Sequence, residues 1–323
     1  MVNRRAFLAA AGAAALATAR AAGAAPSGDA ARLGRIGVQL FSLPKLLGQD
    51  FDGALGMLAG LGYKEVELFG PYPFSVPAAQ AGWKAAAAQL GFSGSGYFGR
   101  TATEMRAALD RHGLAAPSMH VDLDTLRDRL DQVGEAAHTL GHRYAGIASI
   151  PPERRRTLDD YKRMADEFNA IGAKAAPMGF RVLYHNHGYG LSPLEGQIPL
   201  QVLLARTDPT LVAFEMDLFW TTAGGADPVA LIDAHPRHYR MLHVKDMTKR
   251  ARFAGDGNDQ SQWLALFPVM TTAGNGVLDL PRILAHAQRA GVQHFYVEQD
   301  LAAKPAEALG ASIRYLRGLE LAG

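Results

Sequence analysis

The sequence predicts a single-domain α/β fold, a (β/α)8 (TIM) barrel. Three observations carry that expectation. Eight short apolar runs alternate with segments of helical period, the pattern of a parallel sheet with crossover helices. No glycine-rich phosphate turn follows the first run, so an open doubly wound sheet lacks its main support. The chain has 323 residues, and about 250 is typical of a barrel, which leaves room for long loops.

The first segment is an address rather than part of the fold. Asn3-Arg4-Arg5-Ala6-Phe7-Leu8 leads into an alanine-rich apolar stretch that ends in Ala19-Arg20-Ala21. A charged start, an apolar middle and a small-x-small cleavage pattern make a secretory signal. The paired arginines resemble a twin-arginine export signal. The expected organisation is a removed signal at 1–21, a short segment at 22–34 and the barrel at 35–323, in a periplasmic or secreted protein. The apolar stretch is short for a membrane span, which needs about 20 residues, so the mature chain is expected to carry none. Cleavage removes three arginines and no acid, turning the formal charge of +2 into −1.

The strands are expected at 36–41, 65–69, 116–121, 144–149, 181–185, 211–216, 239–243 and 295–298. The clearest helix runs over 124–140, with Leu126, Leu130, Val133, Ala137 and Leu140 on one face and Gly141 as its stop. A second, over 158–174, repeats the pattern through Tyr161, Met164, Phe168 and Ile171. The last helix starts near Pro305 and carries Leu309, Ile313 and Leu316 on one stripe. Two stretches read as insertions at the C-terminal face of the barrel. Residues 70–100 are rich in Pro, Gly and aromatics, with a helix over 78–90. Residues 247–278 have weak periodicity and several glycines.

Composition removes several function classes. With no cysteine there is no disulfide, thiolate zinc site, iron–sulfur cluster or cysteine nucleophile. A charge of +2 is too small for an electrostatic nucleic-acid binder. An apolar share of 48% excludes a disordered chain.

The chemical signal lies at the strand ends. Runs that begin apolar finish in imidazoles and carboxylates. In Arg181-Val-Leu-Tyr-His-Asn-His187, period-two geometry puts His185 and His187 on one face. Glu215 and Asp217 share a face, as do His243 and Lys245, and Glu298 lies with Tyr296 and Asp300. Singly, each has a structural explanation as a cap, an ion pair or a core group. Four such ends on strands 5 to 8 converge once a barrel closes, and barrel active sites are built this way. Imidazole and carboxylate ligands suit zinc, manganese, iron, cobalt or nickel.

At this point the sequence resembles the sugar phosphate isomerase/epimerase superfamily, the xylose isomerase-like barrels. The segments that carry the resemblance are Gly37-Val-Gln-Leu-Phe-Ser42, Gly62-Tyr-Lys-Glu-Val-Glu67, Tyr184-His-Asn-His187, Asp217-Leu-Phe-Trp220, Ala223-Gly-Gly-Ala-Asp-Pro228, His243-Val-Lys-Asp246, Gly274-Asn-Gly-Val-Leu-Asp279 and Val297-Glu-Gln-Asp300. They run in order over nearly the whole mature chain. The resemblance implies one divalent metal (manganese, zinc, cobalt, iron or magnesium). Its ligands would follow strands 5 to 8, as a carboxylate, an Asp, a His and a Glu. Asp217, His243 and Glu298 match. The first position departs from the pattern, because His185 stands where many members have Glu. The implied set is therefore His185, Asp217, His243 and Glu298. The usual two-carboxylate acid/base scheme loses one member.

A metal held this way polarises a carbonyl and stabilises an enediolate, and a nearby base removes the adjacent proton. Glu298 is the first candidate base, with His187 and Lys245 next. Lys245 also serves as a candidate for neutralising an oxyanion, or as an ion-pair partner of Asp217 or Asp246. Trp220, Phe41 and Tyr97 are candidates for stacking on a sugar ring. Gln39, Glu67 and His120, ending strands 1 to 3, are candidates for binding hydroxyls. The expected activity is a sugar isomerase or epimerase acting on an unphosphorylated sugar or derivative. Its rival is a lyase or dehydratase that cleaves a 3-keto-glycoside or dehydrates a cyclitol by β-elimination. A non-catalytic carbohydrate-binding barrel is a third reading. An abasic-site nuclease is disfavoured by the mature charge of −1 and too few metal ligands. The expected partner is a small carbohydrate or carbohydrate-derived substrate, with no nucleic acid, and with a homo-oligomer as an open option.

Overall fold

The computed structural model describes residues 32–321. The expected signal at 1–21 lies outside the described residues, as does most of the 22–34 segment. Eight parallel strands close a barrel: β1 Ile36–Gln39, β2 Glu65–Phe69, β3 Ala115–His120, β4 Tyr144–Ile147, β5 Arg181–His185, β6 Val212–Asp217, β7 Tyr239–Val244 and β8 His294–Val297. Each strand pairs with its sequence neighbour, and β1 closes the ring against β8. All eight stand where the apolar runs place them; 65–69 and 181–185 match at both ends, and the other six differ by one or two residues.

The interior of the barrel is packed rather than open. Tyr144, Leu183, Ala213, Met241 and Tyr296 form one buried cluster inside the ring. Two glycines make room for it. A Cβ on Gly37 would lie 2.4 Å from the Tyr296 ring, and one on Gly146 would lie 2.2 Å from the Leu183 carbonyl oxygen. Outward-facing residues such as Val66, Val182 and Phe214 pack against the helices in the main core. Two helices open with reciprocal capping boxes, Ala102–Arg111 behind Thr101 and Glu104, and Leu158–Ala175 behind Thr157 and Asp160.

The helix expected over 124–140 is two helices, Leu123–Asp128 and Leu130–Leu140. The chain breaks at Arg129, with φ −127° and ψ 31°. Both halves keep the apolar stripe buried, Leu126 in the first and Val133, Ala137 and Leu140 in the second. Periodicity reports which face is buried and is blind to one residue leaving helical geometry.

Both insertions exist. The first holds the helix Pro77–Leu90. The second holds the short helix Gln260–Leu264 and returns through a two-residue antiparallel ladder, Asp246–Met247 against Met270–Thr271. Its root is a single carboxylate. Asp246 accepts the backbone N–H groups of Met247, Gly274, Gly276 and Leu278, at 2.9, 3.0, 3.1 and 3.1 Å. Gly276 is needed there, since a Cβ would meet Asp246 Oδ1 at 2.2 Å. No helix among the described residues is long and apolar enough to cross a membrane.

Candidate active site

The polar strand ends form two layers at the C-terminal mouth. In the lower layer, one oxygen of Glu215 gathers three imidazoles: His120 Nε2 at 2.8 Å, His185 Nδ1 at 3.1 Å and His243 Nε2 at 3.2 Å. Beside it, Glu67 Oε2 lies 2.7 Å from His243 Nε2 and accepts from Gln39 Nε2 at 2.8 Å. The barrel register explains this layer, because His185 is the cross-strand partner of Glu215, and His243 that of Asp217.

The upper layer contains Asp217, Glu298, Lys245 and the other faces of His185 and His243. Asp217 Oδ1 caps the helix Leu218–Ala223 by accepting from Trp220 N at 2.8 Å. Its Oδ2 lies 3.9 Å from His185 Nε2 and 4.0 Å from His243 Nδ1. Lys245 Nζ is 2.9 Å away but off the direction of a hydrogen bond, so that buried oxygen has an ionic neighbour and no hydrogen bond. Glu298 Oε2 is 2.7 Å from both His243 Nδ1 and Lys245 Nζ, and Asp300 Oδ2 is 2.7 Å from Lys245.

Charge follows from these contacts. Burial alone would neutralise Lys245, but Asp217, Asp300 and Glu298 outweigh it and hold the ammonium protonated well beyond its usual range. Burial likewise disfavours charge on His243, yet Glu215 and Glu298 on its two nitrogens raise it well above an ordinary imidazole. Burial pushes Glu298 up, while Lys245 and His243 pull it further down, so it stays ionised. For Asp300 burial wins over Lys245 and lifts the carboxyl to about 7. His187 is the contrast: burial, with Lys245 nearby, lowers it to about 3. Its Nδ1 hydrogen-bonds the Ala148 carbonyl oxygen. A carbonyl only accepts, so the proton is on Nδ1 and Nε2 carries a free lone pair.

Above these layers lies a cavity of about 380 Å³. Gln39, His120, His185, His187, His243 and Glu298 reach its floor, with Phe41 and Trp220 among its walls. Other expected contacts are absent. Glu67 does not line the cavity, because its carboxylate is turned down onto Gln39 and His243. Tyr97 is also away from it, buried against Tyr72 with ring centroids 5.2 Å apart. Lys245 pairs with Asp217, Glu298 and Asp300, and the alternative partner Asp246 is occupied by backbone amides. A lysine held cationic by three carboxylates is unsuited to act as the base.

Two sets of ligand-type side chains converge closely enough to hold a metal ion, Asp217 with His243 and Glu298, and His120 with His185, Glu215 and His243. The Oδ2 of Asp217, which accepts no hydrogen bond, makes the first set chemically fit for a cation, and His243 and Glu298 open it to the cavity. In the second, Glu215 is already within reach of three imidazoles, the arrangement of a carboxylate that orients histidines from behind. Glu215 and Asp300 are not among the candidate residues of the sequence, although each sits two positions from a candidate ligand, Asp217 and Glu298. Trp83 and Trp263 also line the cavity, from insertions whose periodicity gives no direction to their side chains.

The profile of the xylose isomerase-like TIM barrel family matches residues 56–319. The chain belongs to that family. The inosose dehydratase of Geobacillus thermodenitrificans is 27% identical over 169 residues, 50% of this chain and 55% of that protein. Inosose dehydratase 2 of Bacillus cereus is 26% identical over 185 residues, 54% and 61%. The chain thus spans little more than half the length of these relatives. Among solved structures, a sugar phosphate isomerase/epimerase from Parabacteroides distasonis superposes with a TM-score of 0.68 at 23% identity, covering 92% of this chain and 100% of its own. An IolI protein with a bound zinc atom superposes with a TM-score of 0.61 at 13% identity, covering 87% and 96%. At such identities the superpositions establish the shared barrel.

Proposed function

We propose that the chain is a divalent-metal-dependent enzyme that removes a proton next to a carbonyl of a small carbohydrate-derived substrate, with loss of the β-substituent as the outcome. The convergence of Asp217, His243 and Glu298 beneath the cavity, with His185 Nε2 3.9 Å from Asp217 Oδ2, carries this reading. Those four side chains would hold the metal. When bound, a divalent cation there supplies a Lewis acid for negative charge on substrate oxygens.

The remaining work belongs to the chain's own groups. Glu298 is an ionised carboxylate on the cavity surface and is the first candidate to accept the proton. His187 presents an unprotonated Nε2 on the same floor and is the second. Lys245 stays charged just behind them and offsets negative charge at the floor. Trp220 and Phe41 close the sides against water.

Elimination is favoured over epimerisation by His185. Epimerisation through two carboxylates on opposite faces needs an acid at the end of β5, and an imidazole stands there. Elimination needs one base. The curated relatives named as dehydratases support the same choice. Incubation in D2O with a 3-keto-glycoside and a ketosugar tests it. Release of the β-substituent with an unsaturated or hydrated sugar is expected. Deuterium in a recovered epimer or isomer, without release, overturns elimination in favour of isomerase chemistry. Sugar binding without turnover, unchanged by chelators, indicates a binding barrel. Purified chain free of divalent metal, with His243→Ala at full activity, overturns the metal site.

Export belongs to the same proposal. With Arg4 and Arg5 both replaced by Lys, a reporter fused behind residues 1–34 should stay inside the cell, whereas the natural segment carries it out. Equal export of both overturns the twin-arginine reading.

A further inference from the structure

The cavity has two chemistries. Its imidazoles and its ionised carboxylate come from the strand ends, whereas much of its wall comes from the two insertions and is apolar. The helix Pro77–Leu90 turns Ala79, Trp83, Ala86 and Leu90 to the cavity, positions three and four apart and therefore on one face. Only Ala87 of that helix is fully buried, so the apolar face is spent on the cavity rather than on the core. Trp83 joins Phe41 and Phe69, with ring centroids 6.2 and 5.7 Å away, in one aromatic wall.

The second insertion supplies Trp263, Leu264 and Phe267. Trp263 is held by its indole N–H on the Gly257 carbonyl oxygen at 2.7 Å and stacks on His187 at 5.1 Å. Leu264 is 45% exposed, one of three large apolar side chains so exposed among the described residues, and it sits at the rim of this cavity. Polar side-chain groups on the walls are few: Asp122, Ser149, Gln260 and the indole N–H of Trp83. Asp122 spends both oxygens on Thr125, at 2.8 and 2.6 Å. A second sugar ring has several hydroxyls to satisfy and would find few partners here. A flat aromatic group finds rings on two sides.

We propose that the walls bind an aromatic group attached to the carbohydrate ring that the floor binds, so that the substrate is an aryl-substituted sugar or cyclitol already carrying its ring carbonyl. This rests on the elimination reading. The base takes the proton next to the carbonyl, and a carbon–carbon double bond forms in conjugation with it. The carbon–oxygen bond to the aryl group breaks, the electron pair leaves with the phenolic oxygen, and that oxygen takes up a proton. No oxidant is consumed in this step. The reaction that supplies the substrate must be a dehydrogenation of one ring hydroxyl.

Binding isolates the inference from turnover. Calorimetry with phenyl β-glucoside, methyl β-glucoside and cellobiose, none of which carries the ketone, should show the phenyl compound binding at least about tenfold tighter than the other two. Trp83→Ala and Trp263→Ala should each remove most of that advantage without weakening methyl glucoside. Trp83→Phe should keep it, and Leu264→Asp at the exposed rim should reduce it in a chain that folds normally. Equal binding of phenyl and methyl compounds, no measurable binding of the phenyl compound, or tighter binding of cellobiose overturns the proposal. A phenyl preference without phenol release from the oxidised aryl glycoside overturns the elimination reading alone. Release at equal kcat/KM from oxidised methyl and phenyl glycosides overturns the aromatic subsite alone.

Discussion

Glu215 illustrates how one side chain sets the state of several others. It is fully enclosed, and the imidazoles of His120, His185 and His243 all meet its Oε2. On the proposed ligand set it aims two of them upward. Glu215→Gln keeps the shape and removes the charge, so metal affinity should fall about 10- to 100-fold, as measured by competition with a chelator. Unchanged affinity would remove Glu215 from that role. His142 carries a separate prediction, away from the proposed metal ligands. Burial lowers its pKa from 6.5 to about 4, against the hydrogen bond to the Ala116 carbonyl oxygen. The fold therefore favours the neutral ring. Its contribution is complete above the unfolded pKa and is lost as pH falls toward 4, at ~1.4 kcal/mol per pH unit. His142→Gln should flatten the acid limb of unfolding free energy against pH over that window. At this scale the sequence is informative where a residue is locally anomalous. Asp217, His243 and Glu298 end apolar strands and are legible as a site. Glu215 shows the same anomaly, but period-two geometry gives the face and not the depth, so it cannot separate a ligand from the group beneath it.

Strands are more legible than helices in this chain because a strand buried on both sides is a contiguous apolar run, whereas a helix can lose one residue from its geometry without losing its stripe. The break at Arg129 is such a case. Barrel strands also carry a packing demand that the run itself does not display. Gly146 faces the backbone oxygen of Leu183, which cannot yield, while Gly37 faces a side chain, the buried ring of Tyr296. Both Gly146→Ala and Gly37→Ala should destabilise, by about 1–3 kcal/mol for ordinary overpacking, with Gly146→Ala the worse of the two in urea unfolding midpoints. The reverse order would mean that the strand, not the ring, is the compliant partner. The aromatic faces of the insertions were the least legible elements. Trp83 and Trp263 lie in segments where no periodic core pattern fixes orientation, and only the closed barrel brings them over the same floor.

For the whole molecule, the proposed metal joins the ends of β5, β6, β7 and the chain just after β8, four neighbours in the ring. A ligand that binds only the folded state stabilises it by mass action, about 2.7 kcal/mol at a hundredfold excess over Kd. Chelation should lower Tm and re-addition of a divalent cation should restore it, whereas a Tm indifferent to both would place no metal in the folded ring. Without the cation, Lys245 and the raised imidazole of His243 face Asp217, Glu298 and Asp300.

The anchoring of the second insertion has an engineering consequence. Residues 247–278 leave β7 and come back beneath one carboxylate, Asp246, through the backbone amides of Gly274, Gly276 and Leu278. Departure and return points are thus clamped together at one carboxylate, while the segment between them rests on the floor through Phe253 on Trp220 and Trp263 on His187. The segment behaves as an exchangeable cassette: transplanted between barrels that keep this Asp and the two glycines, it should carry its mouth chemistry with it and leave the reaction at the floor to the host.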